Sequence, residues 1–278
     1  MSEQAGLPAL RRILVALDSD ESARAALDAA AELAATLEAE LVGLFVEDTD
    51  LLEAADLPVT WSIPRHLGPR GAIDSAAMSR ALKVSAGAAG EAVAATARRC
   101  SVKWYFEIRR GLMVEQVLAE AQGFDLLALG LGGEAMRRAA HEMTGGLMAA
   151  PAPGAVLLAR GAGCISGPLV VLYDNSERIL ALGRRMAASQ RRRFIVVAVG
   201  QDGAEAGERA ARAAAWMAEA GVRGSVRRLV LGSPESLCAA LQREYPGVLL
   251  LDRQGPVAAK ISLDDLVREA ACSVLVLK

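Results

Sequence analysis

The sequence predicts an α/β protein built from two tandem doubly wound parallel-sheet domains, each with strand order 3-2-1-4-5. The chain contains one pattern twice, because residues 12–20 read RILVALDSD and residues 169–177 read LVVLYDNSE. Each copy is a short apolar run that ends on an aspartate and leads into a helical stretch. Apolar runs of this kind, without alternation, are typical of strands covered on both faces, and helical segments separate them along the chain. Strands joined through helices cross over right-handedly and give an open sheet.

A length of 278 residues fits two domains of ordinary size. The segment 161–167 reads GAGCISG, and glycine at this density predicts a flexible connection. We therefore expect a first domain over residues 1–162 and a second over residues 167–278.

In the first copy, the run at 13–17 predicts a strand, and the alanine-rich segment 22–37 predicts the helix that follows. The long connection at 47–71 carries Trp61 among apolar residues and prolines. It packs on its own domain, or it shields a ligand site or a dimer contact. The other predicted elements are strands at 41–46, 102–108, 126–129 and 155–159 and helices at about 72–99, 114–122 and 134–149.

The second copy repeats this order with shorter connections. Ser233 before Pro234, and Ser262 with Asp265 three residues on, are capping signals at two helix starts. We also expect the fifth strands of the two copies to pack together. The predicted elements are strands at 169–172, 194–199, 223–231, 248–251 and 273–277 and helices at 179–188, 205–220, 235–245 and 263–271.

Composition limits the function classes. A formal net charge of -2 gives no electrostatic reason to expect a nucleic acid or an anionic membrane as partner, and we interpret the basic run at 191–193 as a solvated turn. The four cysteines form no CxxC pair, so neither a zinc site nor a disulfide framework is predicted. The N-terminus shows no leader pattern, and no apolar stretch reaches the roughly 20 residues of a membrane span. We expect a soluble, cytoplasmic protein.

Ligands of such sheets bind outside the carboxyl ends of the strands, where the strand order reverses between the first and fourth strands. Asp18 follows the first strand, and its carboxylate can accept hydrogen bonds from a ribose or an amino group. The glycine-rich segment 130–133 follows the fourth strand, ahead of a helix, where backbone amides and the helix dipole favour a phosphate. The alternative is structural: the glycines form an ordinary turn, and Asp18 only caps the next helix.

These residues resemble the universal stress protein family in its tandem two-domain form, and the order of elements extends the resemblance over residues 12–278. The resemblance implies a Rossmann-like sheet of the adenine-nucleotide α-hydrolase type. The family's nucleotide-binding motif, G-x2-G-x9-G-[ST], matches the first copy only, with Met143 at its third glycine. The implied cofactor-binding residues are Asp18 and Val46 beside the adenosine and Gly130, Gly133, Thr144 and Gly145 around the phosphates.

The second copy departs further from the motif. Its matching loop reads DRQG at 252–255, and Asp265 and Leu266 stand where the family has glycine and a hydroxyl residue. Together with Asp174 these carboxylates repel a phosphate, although Arg253 could offset one of them. We expect this degenerate half to bind no ATP.

The resemblance implies a stress-response regulatory protein that binds ATP or another adenine nucleotide, with Mg or Mn beside a triphosphate. It also implies a homo-oligomer, most simply a dimer, and an unknown protein partner. The alternative is a scaffold of the same family that binds no ligand and acts through protein-protein contacts. We expect no enzyme beyond slow ATP hydrolysis and assign no catalytic or metal-ligating residue, because no pyrophosphate loop, nucleophile elbow or GxxxxGK[ST] loop is present.

Overall fold

The computed structural model describes residues 10–18, 21–55, 75–132, 153–160, 167–231, 237, 239–240, 243–244, 246–256, 259, 261–269 and 272–278. The predicted boundary at 161–167 lies almost wholly outside these residues, so the division into domains stays a prediction. The same holds for the predicted helix at 134–149, for Trp61 and for the capping pair Ser233 and Pro234.

Within the described residues, ten strands form one sheet. The strands are β1 (Arg12–Leu17), β2 (Glu40–Asp48), β3 (Trp104–Gly111), β4 (Leu126–Gly130), β5 (Ala155–Ala159), β6 (Leu169–Tyr173), β7 (Phe194–Gly200), β8 (Gly224–Val230), β9 (Val248–Asp252) and β10 (Ser273–Leu277). Their order is β3-β2-β1-β4-β5-β10-β9-β6-β7-β8. The predicted order 3-2-1-4-5 is confirmed for the first copy, and the second copy has the same order.

The helices are α1 (Glu21–Leu37), α2 (Thr49–Ala55), α3 (Ser75–Cys100), α4 (Met113–Ala121), α5 (Glu177–Gln190), α6 (Gly203–Glu219) and α7 (Leu263–Glu269). Helix α2 corrects the prediction of an irregular connection from residue 47 onward. Leu52 of α2 packs against a small cluster that contains Phe45 and Leu82. At α7, the expected cap is present, because the Asp265 amide donates to Ser262 Oγ at 3.3 Å.

The central strands β1, β4, β5, β6, β9 and β10 are buried almost throughout, as expected for strands covered on both faces. Helices α1, α3, α5 and α6 pack on one face of the sheet, and α4 and α7 pack on the other. The cluster on the first face contains residues of both halves of the chain, including Leu33 and Leu182. Burying each such side chain contributes about 1.5–3 kcal/mol.

The halves meet along the sheet, because β5 and β10 pair antiparallel, with Leu158 opposite Val274. This confirms the expected packing of the fifth strands. Every other neighbouring pair of strands in the sheet is parallel. The hydrogen bond between Thr36 Oγ and Ser189 Oγ, at 2.8 Å, adds a contact between α1 and α5.

One arginine of the basic run also joins the halves. Arg192 Nη2 lies 3.3 Å from Glu32 Oε2 of α1, and the Arg192 side chain is largely buried. The interpretation of residues 191–193 as a solvated turn is therefore wrong for Arg192. Burial raises the pKa of Glu32 above its ordinary value, and the charge of Arg192 opposes this rise.

Candidate functional site at the topological switch point

In the N-terminal half, β1 and β4 diverge toward their carboxyl ends. Their pairing ends at Val15 with Ala128, although β1 continues to Leu17 and β4 continues to Gly130. Beyond these residues the two strand ends are no longer paired with each other, at the point where the strand order reverses, and we call this position the crevice. This is the position at which open α/β sheets bind ligands.

Two of the candidate residues lie at neighbouring strand ends beside this crevice. Asp18 follows β1 directly and is half-buried. Because Leu17 pairs with Phe45, Asp18 is level with Val46 on β2. The Val46 side chain is buried on the α4 face of the sheet. A ligand at this level can therefore contact Val46 only through its main chain.

Gly130 is required where β4 meets the first turn of α1. A Cβ at this position would lie 2.5 Å from both the carbonyl carbon and the oxygen of Ser22. Such a contact with backbone cannot be relieved by moving a side chain, so only glycine fits. The other candidate residues, Gly133, Thr144 and Gly145, lie outside the described residues, as does Met143.

Ser22 is a site residue that the sequence analysis missed. Its Oγ accepts a hydrogen bond from the Gly132 amide at 2.9 Å, which ties the glycine-rich loop to α1. The preceding amide, that of Leu131, donates to the Ala159 carbonyl at 2.9 Å. Both amides are thus bound to protein acceptors. Within this loop, backbone amides that hold a phosphate must therefore follow Gly132.

The C-terminal half forms the same crevice between β6 and β9, whose pairing ends at Val171 with Leu250. The common register aligns the two halves residue by residue. The aligned pairs are Asp18 with Asp174, Ser22 with Arg178, Gly130 with Asp252 and Gly133 with Gly255.

Asp252 is held by a dense set of donors. The Arg178 guanidinium donates to both carboxylate oxygens, with Nη2 at 2.6 Å from Oδ1, and Ser176 Oγ donates to Oδ2. The Gln254 amide donates to Oδ1 at 2.9 Å. Burial of this 1%-exposed side chain would raise its pKa, but the hydrogen bonds from Arg178, Ser176 and Gln254 outweigh burial and lower the pKa of Asp252 below its ordinary value. Asp252 is therefore ionised at neutral pH.

The residue that offsets the Asp252 charge is Arg178. The expectation that Arg253 offsets one of the carboxylates of this half stays a prediction. The Arg253 amide donates to the Leu277 carbonyl at 2.9 Å, and its Nη1 donates to the Ile261 carbonyl at 2.7 Å. Arg253 thus braces the loop after β9.

Asp174 is fully buried against the loop after β9. A Cβ on Gly255 would lie 2.0 Å and 2.2 Å from the two Asp174 carboxylate oxygens. Gly255 is therefore needed to let the carboxylate approach. In this half, Asp174 and Gly255, the counterparts of Asp18 and of the second glycine of the motif, make a contact with each other within the protein.

Two further findings concern metal-binding clusters and membrane spans. Among the described residues, no group of three or more His, Cys, Asp or Glu side chains could hold a metal ion. No helix in the described part of the chain is long and apolar enough to cross a membrane.

The fold is an open α/β sheet with a switch point in its strand order. The model of the Universal stress protein family matches residues 9–142. This part of the chain, which contains the first crevice, is therefore similar to the universal stress protein family, and the resemblance stated from the sequence is confirmed there.

Solved structures share the fold over nearly the whole chain. The crystal structure of a universal stress protein from Archaeoglobus fulgidus DSM 4304 is 12% identical, with 96% of this chain and 98% of that chain covered and a TM-score of 0.63. A functionally unknown protein from Pseudomonas aeruginosa PAO1 is 17% identical, with 100% and 94% covered and a TM-score of 0.58. At these identities the likeness shows the fold alone. No curated protein matches the sequence.

Proposed function

We propose that this chain is a stress-response regulatory protein that binds ATP or a related adenine nucleotide in its N-terminal half. The observation that carries the proposal is the grouping of Asp18, Val46 and Gly130 at three neighbouring strand ends around the crevice. This grouping lies within the residues that match the family. A triphosphate would bring Mg²⁺ or Mn²⁺ with it.

Each residue has a distinct role in this proposal. The Asp18 carboxylate accepts hydrogen bonds from ribose hydroxyls or from the adenine amino group. The Val46 main chain contacts the base, because its side chain is buried in the core. Gly133, Thr144 and Gly145 surround the phosphates, since the amides of Leu131 and Gly132 already have protein acceptors. The close approach at Gly130 sets the distance between α1 and the loop.

The nucleotide acts as a regulatory ligand in this proposal, because no nucleophile or general base is assigned at the crevice. Slow hydrolysis by water is the most that we expect. A homodimer and a protein partner in the cytoplasm complete the proposal. Because β5 and β10 pair with each other inside the chain, a dimer would have to use another surface.

Titration calorimetry with ATP tests the proposal, together with mass spectrometry of the small molecules that the denatured protein releases. We expect Asp18→Ala to weaken ATP binding by at least about tenfold, because it removes hydrogen bonds to a charged group. Asp28→Ala is the matched control, since Asp28 lies on α1 and pairs with Arg99, away from the crevice. No heat of binding from the unaltered protein at about 1 mM ATP would refute nucleotide binding, and equal affinities for both variants would refute a site that includes Asp18.

The scaffold is the second candidate function, and the bound amides of Leu131 and Gly132 favour it, because the start of the loop satisfies its own donors. The two candidates differ in one observable. A scaffold would release no adenine nucleotide on denaturation and would show no heat with ATP.

A further inference from the structure

We propose that the C-terminal half has replaced the ligand of its crevice with its own charged side chains. Arg178 with Asp252 at one end, and Arg209 at the other, form a lock that fixes the ends of β7, β9 and β10 without any bound molecule. The proposal rests on contacts of the C-terminal half and is independent of nucleotide binding in the N-terminal half.

The first end of the lock consists of Arg178 and Asp252, which are the aligned counterparts of Ser22 and Gly130. Arg178 lies in the first turn of α5, and its side chain is 22% exposed. It spans the gap between β6 and β9 and binds Asp252 through two nitrogens. Its Nη2 also donates to the main-chain oxygen of Lys278, after β10, at 2.6 Å. One guanidinium therefore joins α5 to the ends of two strands.

The second end lies between β6 and β7. Arg209 of α6 is 3% exposed, and its Nη1 donates to the Val199 carbonyl. The next carbonyl, that of Gly200, accepts from Leu231 on the β8 side. Carbonyls alternate in direction along a strand, so the Val199 oxygen faces β6, beyond the last paired residue Ala198.

Val199 is the aligned counterpart of Val46, since Leu41 and Phe194 pair with the equivalent positions of β1 and β6. In the proposed N-terminal site, the main chain at this position contacts the base. In the C-terminal half an arginine already binds the corresponding carbonyl.

The N-terminal half has no arginine at the position of Arg209. The Val102 amide bonds to the Ala97 carbonyl, and the Val222 amide bonds to the Met217 carbonyl. These equivalent bonds align α3 of the first half with α6 of the second. In this alignment, the position of Arg209 is occupied by Ala89 in the N-terminal half. An alanine side chain has no donor to offer to Val46. The larger side chain of the N-terminal half is on the strand instead, because Phe45 of β2 occupies the position that Ala198 has on β7.

The Arg178–Asp252 ion pair has a predictable effect on stability. A buried ion pair adds little stability compared with well-packed apolar residues, but removal of one partner leaves a buried charge alone and is strongly destabilising. A lock therefore predicts that removal of either Arg178 or Asp252 alone greatly lowers the free energy of unfolding. It also predicts that removal of both together costs less than the sum of the two single losses. Independent packing roles would give additive effects.

The test is a double-mutant cycle of Arg178→Ser, Asp252→Gly and the double variant, which restores the N-terminal pair of residues. We expect Arg178→Ser to lower the folding equilibrium constant by about a hundredfold or more. We expect the double variant to lose less than the product of the two single losses. The matched control is Arg227→Ser, because Arg227 forms an exposed pair with Glu244 at 3.1 Å and is 55% exposed. It should change the constant by no more than about fivefold.

Hydrogen exchange provides a second readout. The Gln254 amide, which donates to Asp252, should exchange about tenfold faster in Arg178→Lys, a milder variant that keeps the charge but loses the two-pronged contact. This variant serves if Arg178→Ser does not fold. Additive losses in the cycle, an Arg178→Ser effect no larger than that of Arg227→Ser, or unchanged Gln254 exchange in Arg178→Lys would overturn the lock. All of these measurements are made without nucleotide, so a failure of nucleotide binding leaves them unaffected.

Discussion

The two crevices of this molecule have the same backbone register and different side chains. In the N-terminal half, Ser22 and Gly130 stand at the crevice, and Asp18 is half-buried. In the C-terminal half, the aligned positions hold the Arg178–Asp252 ion pair and a fully buried Asp174. The comparison teaches that the fold provides the crevice twice, whereas a few side chains decide whether the crevice is occupied by the protein's own charged groups.

The largest expected effect on stability comes from placing a residue of the C-terminal crevice, the aspartate at position 252, at the aligned position of the N-terminal half. Gly130→Asp sets a Cβ against the Ser22 backbone at 2.5 Å and buries a carboxylate without its arginine. We expect a loss of about 3–5 kcal/mol in the free energy of unfolding, measured by urea denaturation. Adding Ser22→Arg should recover part of the loss. A loss below about 1 kcal/mol would mean that the close approach at Gly130 does not matter.

A smaller effect is expected at the loop of the C-terminal half. Gly255→Ala places a methyl group on the Asp174 carboxylate and should cost about 1–3 kcal/mol. Gly207→Ala in α6 is the control, because no atom lies within 4 Å of its added Cβ, and it should stabilise the protein by about 0.5–1 kcal/mol. Chemical denaturation measures the free energy of unfolding of both variants. Equal changes in this free energy would contradict the contact between Gly255 and Asp174.

The pH dependence of stability should have opposite signs at two carboxylates. The lowered pKa of Asp252 means that its contribution is fully present above about pH 4, the unfolded pKa, and is lost as the pH falls through the folded pKa. The raised pKa of Glu32 means that its contribution to stability grows as the pH falls from that raised value toward about 4.3.

Urea midpoints between about pH 3 and 6 test these signs in the unaltered protein and two variants. Asp252→Asn should reduce the loss of stability below about pH 4. Glu32→Gln should remove the gain on mild acidification. An unchanged acid profile in Asp252→Asn would show that its ion pair does not persist in solution.

The smallest expected effect concerns the contact between the halves. A cycle of Thr36→Val and Ser189→Ala should give a coupling of about 0.5–1.5 kcal/mol, because it removes one hydrogen bond between α1 and α5. Both variants should keep a single unfolding transition, since the sheet and one apolar cluster continue across the halves. Two separate transitions would instead favour independent domains.

Much of the fold could be predicted from the sequence because its signals are local. Unbroken apolar runs predicted the buried strands, and the repeated strand-aspartate-helix pattern predicted the shared order. Helix α2 was missed because prolines at 58, 64 and 69 made the whole connection read as irregular. Its start carries a short-range signal, since Asp48 Oδ1 accepts from the Asp50 amide at 3.1 Å.

The site was less predictable because its contacts join distant positions. Asp18 and Gly130 could be identified from their places after two strands. Arg178 could not be matched to Asp252 from the sequence, because Asp252 lies 74 residues further along the chain. Ser22 gave no signal beyond that of a polar residue at a helix start, because its partner Gly132 is 110 residues away.

Hydrogen exchange with and without ATP tests the difference between the crevices most directly. We expect slower exchange on ATP addition in peptides that cover residues 18–22 and 130–132, with no change in peptides that cover residues 174–178 and 252–255. Protection of the C-terminal peptides, or of neither set at about 1 mM ATP, would contradict this expectation.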